Sequence, residues 1–299
     1  MSDGPSTSTP AGSMPTPARR NGAAGVPDVR FTLQALPANV ALVRQALAGL
    51  ADSLGVAPAR AADMKIAVTE ACTNAVVHAY ENHDGPLEVT MGVDHDRLVL
   101  TVRDRGHGLR PLPSEGDGPP LGFGLALIAS LSDEFGIAGG RHGTEVRIAF
   151  DLDDAEEAPP LLVQLSHDPA PPDDAVALAL AAGDHAAAVL GRVVSLVAAR
   201  ADFSIDRLSD AQIVSDAIAG AAGPHARDGS GTTRIEIEER DGGFDLVIGP
   251  LVEGGAQRLV RDTELPGLGC LLERLADALD VVPAPEGGEL LRARLSTRA

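Results

Sequence analysis

The segment TEACTNAVVHAY, residues 69–80, does most to decide the fold of this chain. It lies in a longer run, 59–80, where apolar residues recur every three or four positions, and this period predicts a helix. Glu70 and Asn74 are four residues apart, so they project from the same face of that helix, one turn apart. A carboxylate and a carboxamide in this arrangement could hold a cation and a water molecule, although an ordinary exposed helix face shows the same pattern.

A second motif, RDRGHGL (103–109), follows a predicted strand. Asp104 stands where the strand ends. Gly106 and Gly108 let the backbone turn sharply and approach a ligand closely. Taken alone, D-x-G-x-G is weak, because many turns contain it.

A third motif, GFGLALIASL (122–131), opens a predicted helix. Gly122 and Gly124 precede the helix, whose free N–H groups could bind phosphate. The motif is not a P-loop, because no Lys-Ser/Thr pair follows the glycines. It is not a dinucleotide fingerprint either, because Leu127 stands where the last glycine would be.

Periodicity along the first half predicts the order β-α-α-β-β-loop-α-β. This order indicates a sheet with helices on one face, a two-layer α/β sandwich. The predicted strands are 29–33, 87–93, 97–103 and 143–150; the predicted helices are 38–54, 59–80 and 123–133; and a Gly/Pro-rich loop covers 105–121.

In sequence order, E-x-x-x-N on a helix, D-x-G-x-G after a hairpin, G-x-G before a helix and G-T in a last strand resemble the GHKL ATPase superfamily. That superfamily has a Bergerat-type nucleotide site. Within it, TEACTNAVVHAYEN (69–82) and the pair Asp133-Glu134 are similar to the bacterial anti-sigma-factor serine kinases of the RsbW type. The resemblance covers residues 28–152 and implies a domain that binds ATP with Mg²⁺.

The resemblance also implies a role for each motif residue. Asn74 would be the Mg²⁺ ligand through its amide oxygen, and Glu70 the general base that accepts a proton from the attacking hydroxyl. Asp104 would accept a hydrogen bond from the exocyclic amine of adenine. The remaining positions complete the nucleotide site: Gly106 and Gly108 at the adenine, Gly122 and Gly124 at the phosphates, and Thr144 supporting the adenine through its hydroxyl. Cys72, a lone cysteine, is predicted to pack in the core.

The second half repeats the first at a nearly constant displacement, which predicts a tandem duplication of one domain. The hairpin TRIEIEERDGGFDLVIG (233–249) matches residues 87–103 at a displacement of 146. At a displacement of 145, LPGLGCLLERLADAL (265–279) matches 120–135 and GGELLRARL (287–295) matches 142–150.

The second half lacks the chemistry-bearing residues. At a displacement of 146, the replacements are Asp216 for Glu70, Gly220 for Asn74 and Pro250 for Asp104, and no Asn occurs between 151 and 299. We therefore expect a degenerate copy that does not hydrolyse ATP. Single-domain members of the family pair with themselves, so the copy is expected to serve as an internal partner, giving a pseudo-dimer within one chain.

The predicted domains are a disordered Ser/Thr/Pro-rich tail (1–27), an active domain (28–152), a linker (153–160) and the degenerate domain (161–299). The formal net charge of −19 argues against binding nucleic acid or an anionic membrane surface. Two isolated cysteines fit a reducing cytosol and disfavour a zinc site. No run approaches the roughly 20 apolar residues of a membrane span, so a cytoplasmic protein is expected.

Two functions remain open at this point. The first is an ATP-dependent serine/threonine kinase that phosphorylates a STAS-domain anti-anti-sigma factor and sequesters a sigma factor. The second is a non-catalytic, ATP-gated protein-binding regulator; Glu70 disfavours it, because a pure binder needs no base. A sensor histidine kinase is disfavoured, since no long dimerising helix is predicted before residue 28.

Overall fold

The structure, a computed structural model, describes residues 28–80, 85–108, 123–140, 143–152, 175–181, 185–227, 229, 231–267 and 269–297. The predicted tail (1–27), the predicted linker (153–160) and most of the predicted loop at 105–121 lie outside these residues. The elements follow the chain as β1 (Val29–Gln34), α1 (Pro37–Ser53), α2 (Pro58–His78), β2 (Pro86–Asp94), β3 (Arg97–Asp104), α3 (Phe123–Leu131), β4 (Glu134–Gly140), β5 (Gly143–Asp151), β6 (Ala175–Ala181), α4 (His185–Arg200), α5 (Ile205–Ala221), β7 (Thr232–Arg240), β8 (Gly243–Leu251), α6 (Gly255–Asp262), β9 (Glu264–Leu265), β10 (Gly269–Cys270), α7 (Leu271–Leu275), β11 (Ala278–Pro283) and β12 (Glu289–Ser296).

Ten of these strands form one antiparallel sheet in the order β11-β12-β8-β7-β6-β1-β2-β3-β5-β4. Alternate residues of the strands enter one hydrophobic core together with residues of α1, α2, α4 and α5. This alternation is expected for a sheet covered by helices on one face. The architecture is therefore the predicted two-layer α/β sandwich. In the part of the chain that the structure describes, no helix is both long and apolar enough to cross a membrane.

Local sequence signals explain the bounds of the first two helices. Pro37 and Pro58 occupy first-turn positions, where the missing N–H would have no helical partner anyway. Gly55 follows α1 with φ +71°, the left-handed conformation that ends many helices. The β2–β3 turn falls at His95 and Asp96, as the alternating pattern predicts.

One element of the first half is absent from the prediction. Residues Glu134–Gly140 form β4, an edge strand, and the helix predicted to reach 133 ends at Leu131. The sequence EFGIAGG has three glycines and little alternation, so neither period nor propensity indicates a strand.

The second half repeats the topology of the first. The order β6-β7-β8-β12-β11 mirrors β1-β2-β3-β5-β4 on the other side of the β1–β6 pair. Register reproduces the predicted displacements: Phe150 lies opposite Leu98, and Leu295 lies opposite Phe244. This shared topology agrees with a tandem duplication, which itself stays a prediction.

The structure corrects one predicted correspondence. Four buried residues of α2 recur in α5 at a displacement of 147: Met64, Ala67, Val68 and Ala71 match Ala211, Val214, Ser215 and Ile218. The counterparts of Glu70 and Asn74 are therefore Ala217 and Ala221, rather than Asp216 and Gly220. The helices match at a displacement of 147 and the hairpins that follow them at 146. The connection between helix and hairpin is therefore one residue shorter in the second half. The conclusion that both polar residues are lost is unchanged.

The two halves share a sheet and a helix contact. β1 and β6 pair in antiparallel fashion, with Phe31 opposite Leu178 at the centre of the buried positions of each strand. On the helical side, α1 crosses α4 so closely that a Cβ on Gly49 would collide with the carbonyl of Ala188. The second half thus packs beside the first, and its role as an internal partner stays a prediction.

Candidate active site

Helices α2 and α3 bring three of the predicted site residues together. A Cβ placed on Gly124, in the first turn of α3, would lie 2.9 Å from Oε2 of Glu70 and 3.4 Å from both amide atoms of Asn74. A side chain at residue 124 would therefore displace the carboxylate. Glycine here lets the start of α3, with its free N–H groups, approach the polar face of α2.

The side-chain amide of Asn74 is poised for a ligand. Its Nδ2 atom is buried and has no hydrogen-bond partner among the residues described. Which amide atom is N and which is O is an assignment, so the orphaned atom is equally well the oxygen. A buried amide without a partner costs about 1–3 kcal/mol, which a bound group would recover. An amide oxygen beside a carboxylate suits Mg²⁺, which prefers oxygen ligands, so the residues present fit this ion.

Asp104 ends β3 and is only 5% exposed. Its Oδ1 accepts hydrogen bonds from the backbone N–H groups of Gly106, at 2.9 Å, and Thr144, at 3.1 Å. Within the described part of the chain, Oδ2 receives no hydrogen bond. Two donors thus fix the orientation of the carboxylate and leave one oxygen to accept from a ligand amine. Thr144 contributes its backbone N–H here, and the predicted role of its hydroxyl stays a prediction.

Two glycines with positive φ allow the chain to close around this carboxylate. Gly108, at φ +72°, abuts the carbonyl of Gly140, and Gly143, at φ +118°, abuts the carbonyl of Asp104. A Cβ at either position would collide with backbone. Gly143 belongs to the G-T pair of the last motif, and this pair is the sequence signal for the contact with Asp104.

The loop 105–108 is also held by the end of α2. The hydroxyl of Tyr80 accepts a hydrogen bond from the N–H of Arg105 at 2.8 Å and donates to the carbonyl of Pro86 at 2.6 Å. The carbonyl of Ala79 accepts from the N–H of His107 at 3.1 Å, and Gly106 packs against Ala79. Burial raises the pKa of Tyr80, and the nearby Asp104 raises it further. The sequence motif contains these residues, but their polar atoms act on a loop 25 residues away, which no local pattern reveals.

Helix α2 connects the two groups of residues. Asn74 lies at the Glu70–Gly124 contact and Ala79 lies at the Asp104 loop, five residues or about 8 Å apart along the axis. The Asp104 loop and the start of α3 therefore meet α2 at separate points along its axis. Gly122 lies outside the described residues, so its predicted phosphate contact stays a prediction. Cys72 is completely buried, and burial raises its pKa to about 12, which matches the predicted packing role.

Comparison with known proteins finds relatives of the first half of the chain. The family model of the histidine kinase-like ATPase domain matches residues 33–150. The chain is 40% identical over 114 residues to the serine-protein kinase RsbW of Bacillus licheniformis, covering 33% of this chain and 71% of that protein. It is 35% identical over 119 residues to the serine-protein kinase RsbW of Bacillus subtilis, covering 36% of this chain and 74% of that protein.

Two solved structures show local likeness. The RsbU and RsbW domains of Rv1364c from Mycobacterium tuberculosis match with 27% identity and a TM-score of 0.34, over 41% of this chain and 32% of that chain. The histidine kinase domain of a blue-light activated kinase from Erythrobacter litoralis matches with 29% identity and a TM-score of 0.27, over 31% and 45% respectively.

The fold and the site define a nucleotide-binding domain of the histidine kinase-like ATPase type, within the GHKL superfamily. The identity with the two Bacillus kinases extends over more than two thirds of each of them. The chain therefore belongs to the RsbW family of serine-protein kinases.

Proposed function

We propose that this protein is an ATP-dependent serine/threonine kinase acting on a STAS-domain anti-anti-sigma factor, and that it sequesters a sigma factor. One observation carries the proposal: the Glu70 carboxylate and the unpaired Asn74 amide face Gly124 at the start of α3. Membership of the RsbW family supports the class of reaction.

The residues of the site have distinct parts in the reaction. Asp104 Oδ2 would accept a hydrogen bond from the amine of adenine, while the start of α3 would receive the phosphates through backbone N–H groups. Asn74 would hold Mg²⁺, which neutralises charge on the phosphates when it is bound. Glu70 would accept the proton of the attacking serine hydroxyl. A new bond forms between the serine oxygen and the γ-phosphorus, the bond from that phosphorus to ADP breaks, and ADP departs.

Electrostatics supports the partner switch. Phosphorylation adds about −1.5 to −2 charges to a serine at pH 7, and this chain already carries a net charge of −19. Like charge favours release of the phosphorylated antagonist. The kinase would then be free to bind its other partner, the sigma factor.

The test is transfer of labelled γ-phosphate from ATP, with Mg²⁺, to candidate STAS proteins encoded by the same organism. Glu70→Gln keeps the shape of the side chain and removes the base, so transfer is expected to fall about 100-fold or more while ATP binding persists. Asp216→Asn is the matched control, since it makes the same kind of change in the second half and should leave transfer unaltered.

Two results would count against the proposal. Equal transfer by wild type and Glu70→Gln would remove the kinase assignment. ATP binding by wild type with no transfer to any candidate would favour the non-catalytic, ATP-gated regulator instead.

A further inference from the structure

A side-chain clamp joins the start of α2 to the end of α3. The guanidinium of Arg60 donates to the carbonyl of Leu131 at 3.2 Å and pairs with Asp133. Asp133 also accepts the N–H of Asp151 at 2.8 Å, which ties in the last strand. The clamp fixes two helices and a strand at the end of α2 farthest from the Asp104 loop.

The second half contains the same clamp. Arg207, 147 residues after Arg60, donates to the carbonyl of Leu275 at 3.3 Å and to Asp277 at 2.8 Å. Asp277 accepts the N–H of Ser296 at 2.7 Å. Since this half has lost the counterparts of Glu70, Asn74 and Asp104, a clamp retained there serves the fold and not a nucleotide.

The contacts of Tyr80 behave differently. At the same displacement of 147 the second half has Arg227, whose guanidinium donates to the carbonyl of Gly287 at 2.9 Å. Arg227 has no hydroxyl, so it cannot make the pair of hydrogen bonds that Tyr80 makes in the first half. The Tyr80 contacts thus occur in the half that has the Asp104 carboxylate, and they are replaced in the half that has lost it.

The loop held by Tyr80 is the one that orients this carboxylate. Asp104 Oδ1 accepts from Gly106, and the neighbouring Arg105 is the residue whose N–H binds Tyr80. The opposite side of the hydroxyl is anchored on Pro86, at the start of β2. Movement of Arg105 would therefore turn the carboxylate and redirect its other oxygen, Oδ2.

We propose that Tyr80 is a positioning residue for the nucleotide base, because its hydroxyl fixes the Arg105–Gly108 loop against β2 and so sets the direction of Asp104 Oδ2. This inference rests on the proposed ATP site and adds a determinant of base selectivity to it. Tyr80 does not touch the reacting atoms in this scheme. A tyrosine hydroxyl keeps its proton at neutral pH, so it can donate to Pro86 and accept from Arg105 at the same time.

The test uses Tyr80→Phe in the full chain. The substitution removes the hydrogen bonds of the hydroxyl to Arg105 and Pro86 and keeps the ring that packs on Gly85. Binding of ATP and of GTP is measured by calorimetry, and phosphate transfer is measured at saturating ATP. We expect ATP affinity to fall about tenfold, the preference for ATP over GTP to narrow several-fold, and the maximal transfer rate to stay within about twofold.

Arg207→Lys is the matched control. It weakens the clamp of the second half, so it should lower the melting temperature and leave both nucleotide affinities unchanged. A Tyr80→Phe protein with wild-type ATP affinity and wild-type base preference would overturn the inference while the proposed function stands. Equal losses for ATP and GTP, with a reduced maximal rate, would also overturn it, since they indicate a general loss of structure. A wild-type chain that binds no ATP would overturn the proposed function and this inference with it.

Discussion

Asp104→Asn gives the sharpest test of how the site reads its nucleotide. The two side chains have nearly the same shape, and an asparagine oxygen in place of Oδ1 can still accept from Gly106 and Thr144. The loop should therefore keep its conformation. The atom that replaces Oδ2 becomes an NH₂ group, which donates and cannot accept. Opposite the adenine amine, two donors would face each other.

The magnitude follows from what is lost. A hydrogen bond to a charged acceptor contributes about 1.5–3 kcal/mol, and an unpaired buried donor costs about 1–3 kcal/mol. Because the losses overlap, we expect ATP binding to weaken by about 2–4 kcal/mol, roughly a 30- to 700-fold rise in Kd. The melting temperature without nucleotide should change by only a few degrees, since both backbone donors keep a partner.

Calorimetric titration with ATP and ITP distinguishes this explanation from a general defect. The 6-oxo group of ITP accepts hydrogen bonds, so Asp104→Asn should discriminate far less against ITP than wild type does. Unchanged ATP affinity in the variant would show that Asp104 does not read the base. An unchanged ratio of ATP to ITP affinity would refute the donor–acceptor argument even if both affinities fell.

Three further predictions concern the metal, the clamps and the buried thiol. Asn74→Ala should abolish the difference between ATP affinities measured with and without Mg²⁺; a difference of wild-type size would place the metal elsewhere. Arg207→Ala should lower the free energy of unfolding by about 2–4 kcal/mol, because it removes the guanidinium that binds Asp277 and two carbonyls. Arg60→Ala should cost about 1–2 kcal/mol, because the Arg60–Asp133 pair is more exposed. Urea denaturation of both variants measures the two losses, and an equal or larger loss for Arg60→Ala would contradict this order. Burial raises the Cys72 pKa from 9.0 to about 12, so the unfolded thiol loses its proton first and stability should fall as pH rises above 9. Thermal melting between pH 8 and pH 10.5 should show a smaller loss of stability for Cys72→Ala than for wild type. Equal losses in the two proteins would contradict the burial of this thiol.

The strongly periodic elements of the first half could be predicted from the sequence. Apolar residues at helical spacing set α1 and α2, and strict alternation set the β2–β3 hairpin, because each pattern places one apolar face on the core. Strand β4 could not be predicted, since an edge strand of small residues needs neither alternation nor high propensity. Its pairing with β5 comes from tertiary context.

Some residues of the candidate site could likewise be predicted from the sequence, and others could not. Glu70, Asn74 and Asp104 belong to motifs with fixed local spacing, so sequence identifies them. The Tyr80–Arg105 contact spans 25 residues and the Arg60–Asp133 contact spans 73, so only the packed structure brings these partners together. A contact of the second half could not be predicted either. Glu289 accepts the N–H groups of Gly254 and Ala256 at the start of α6, and no sequence motif indicates this contact.

The β1–β6 pair affects how nucleotide binding should depend on nucleotide concentration. Where two identical lobes associate, occupancy of one site can alter the other, and the strength of their association varies with dilution. Here a peptide chain ties the lobes together at a fixed, high effective concentration. The second half lacks the counterparts of Glu70, Asn74 and Asp104, so it is not expected to bind nucleotide. A single chain should therefore fill hyperbolically, with a Hill coefficient of one, at any protein concentration.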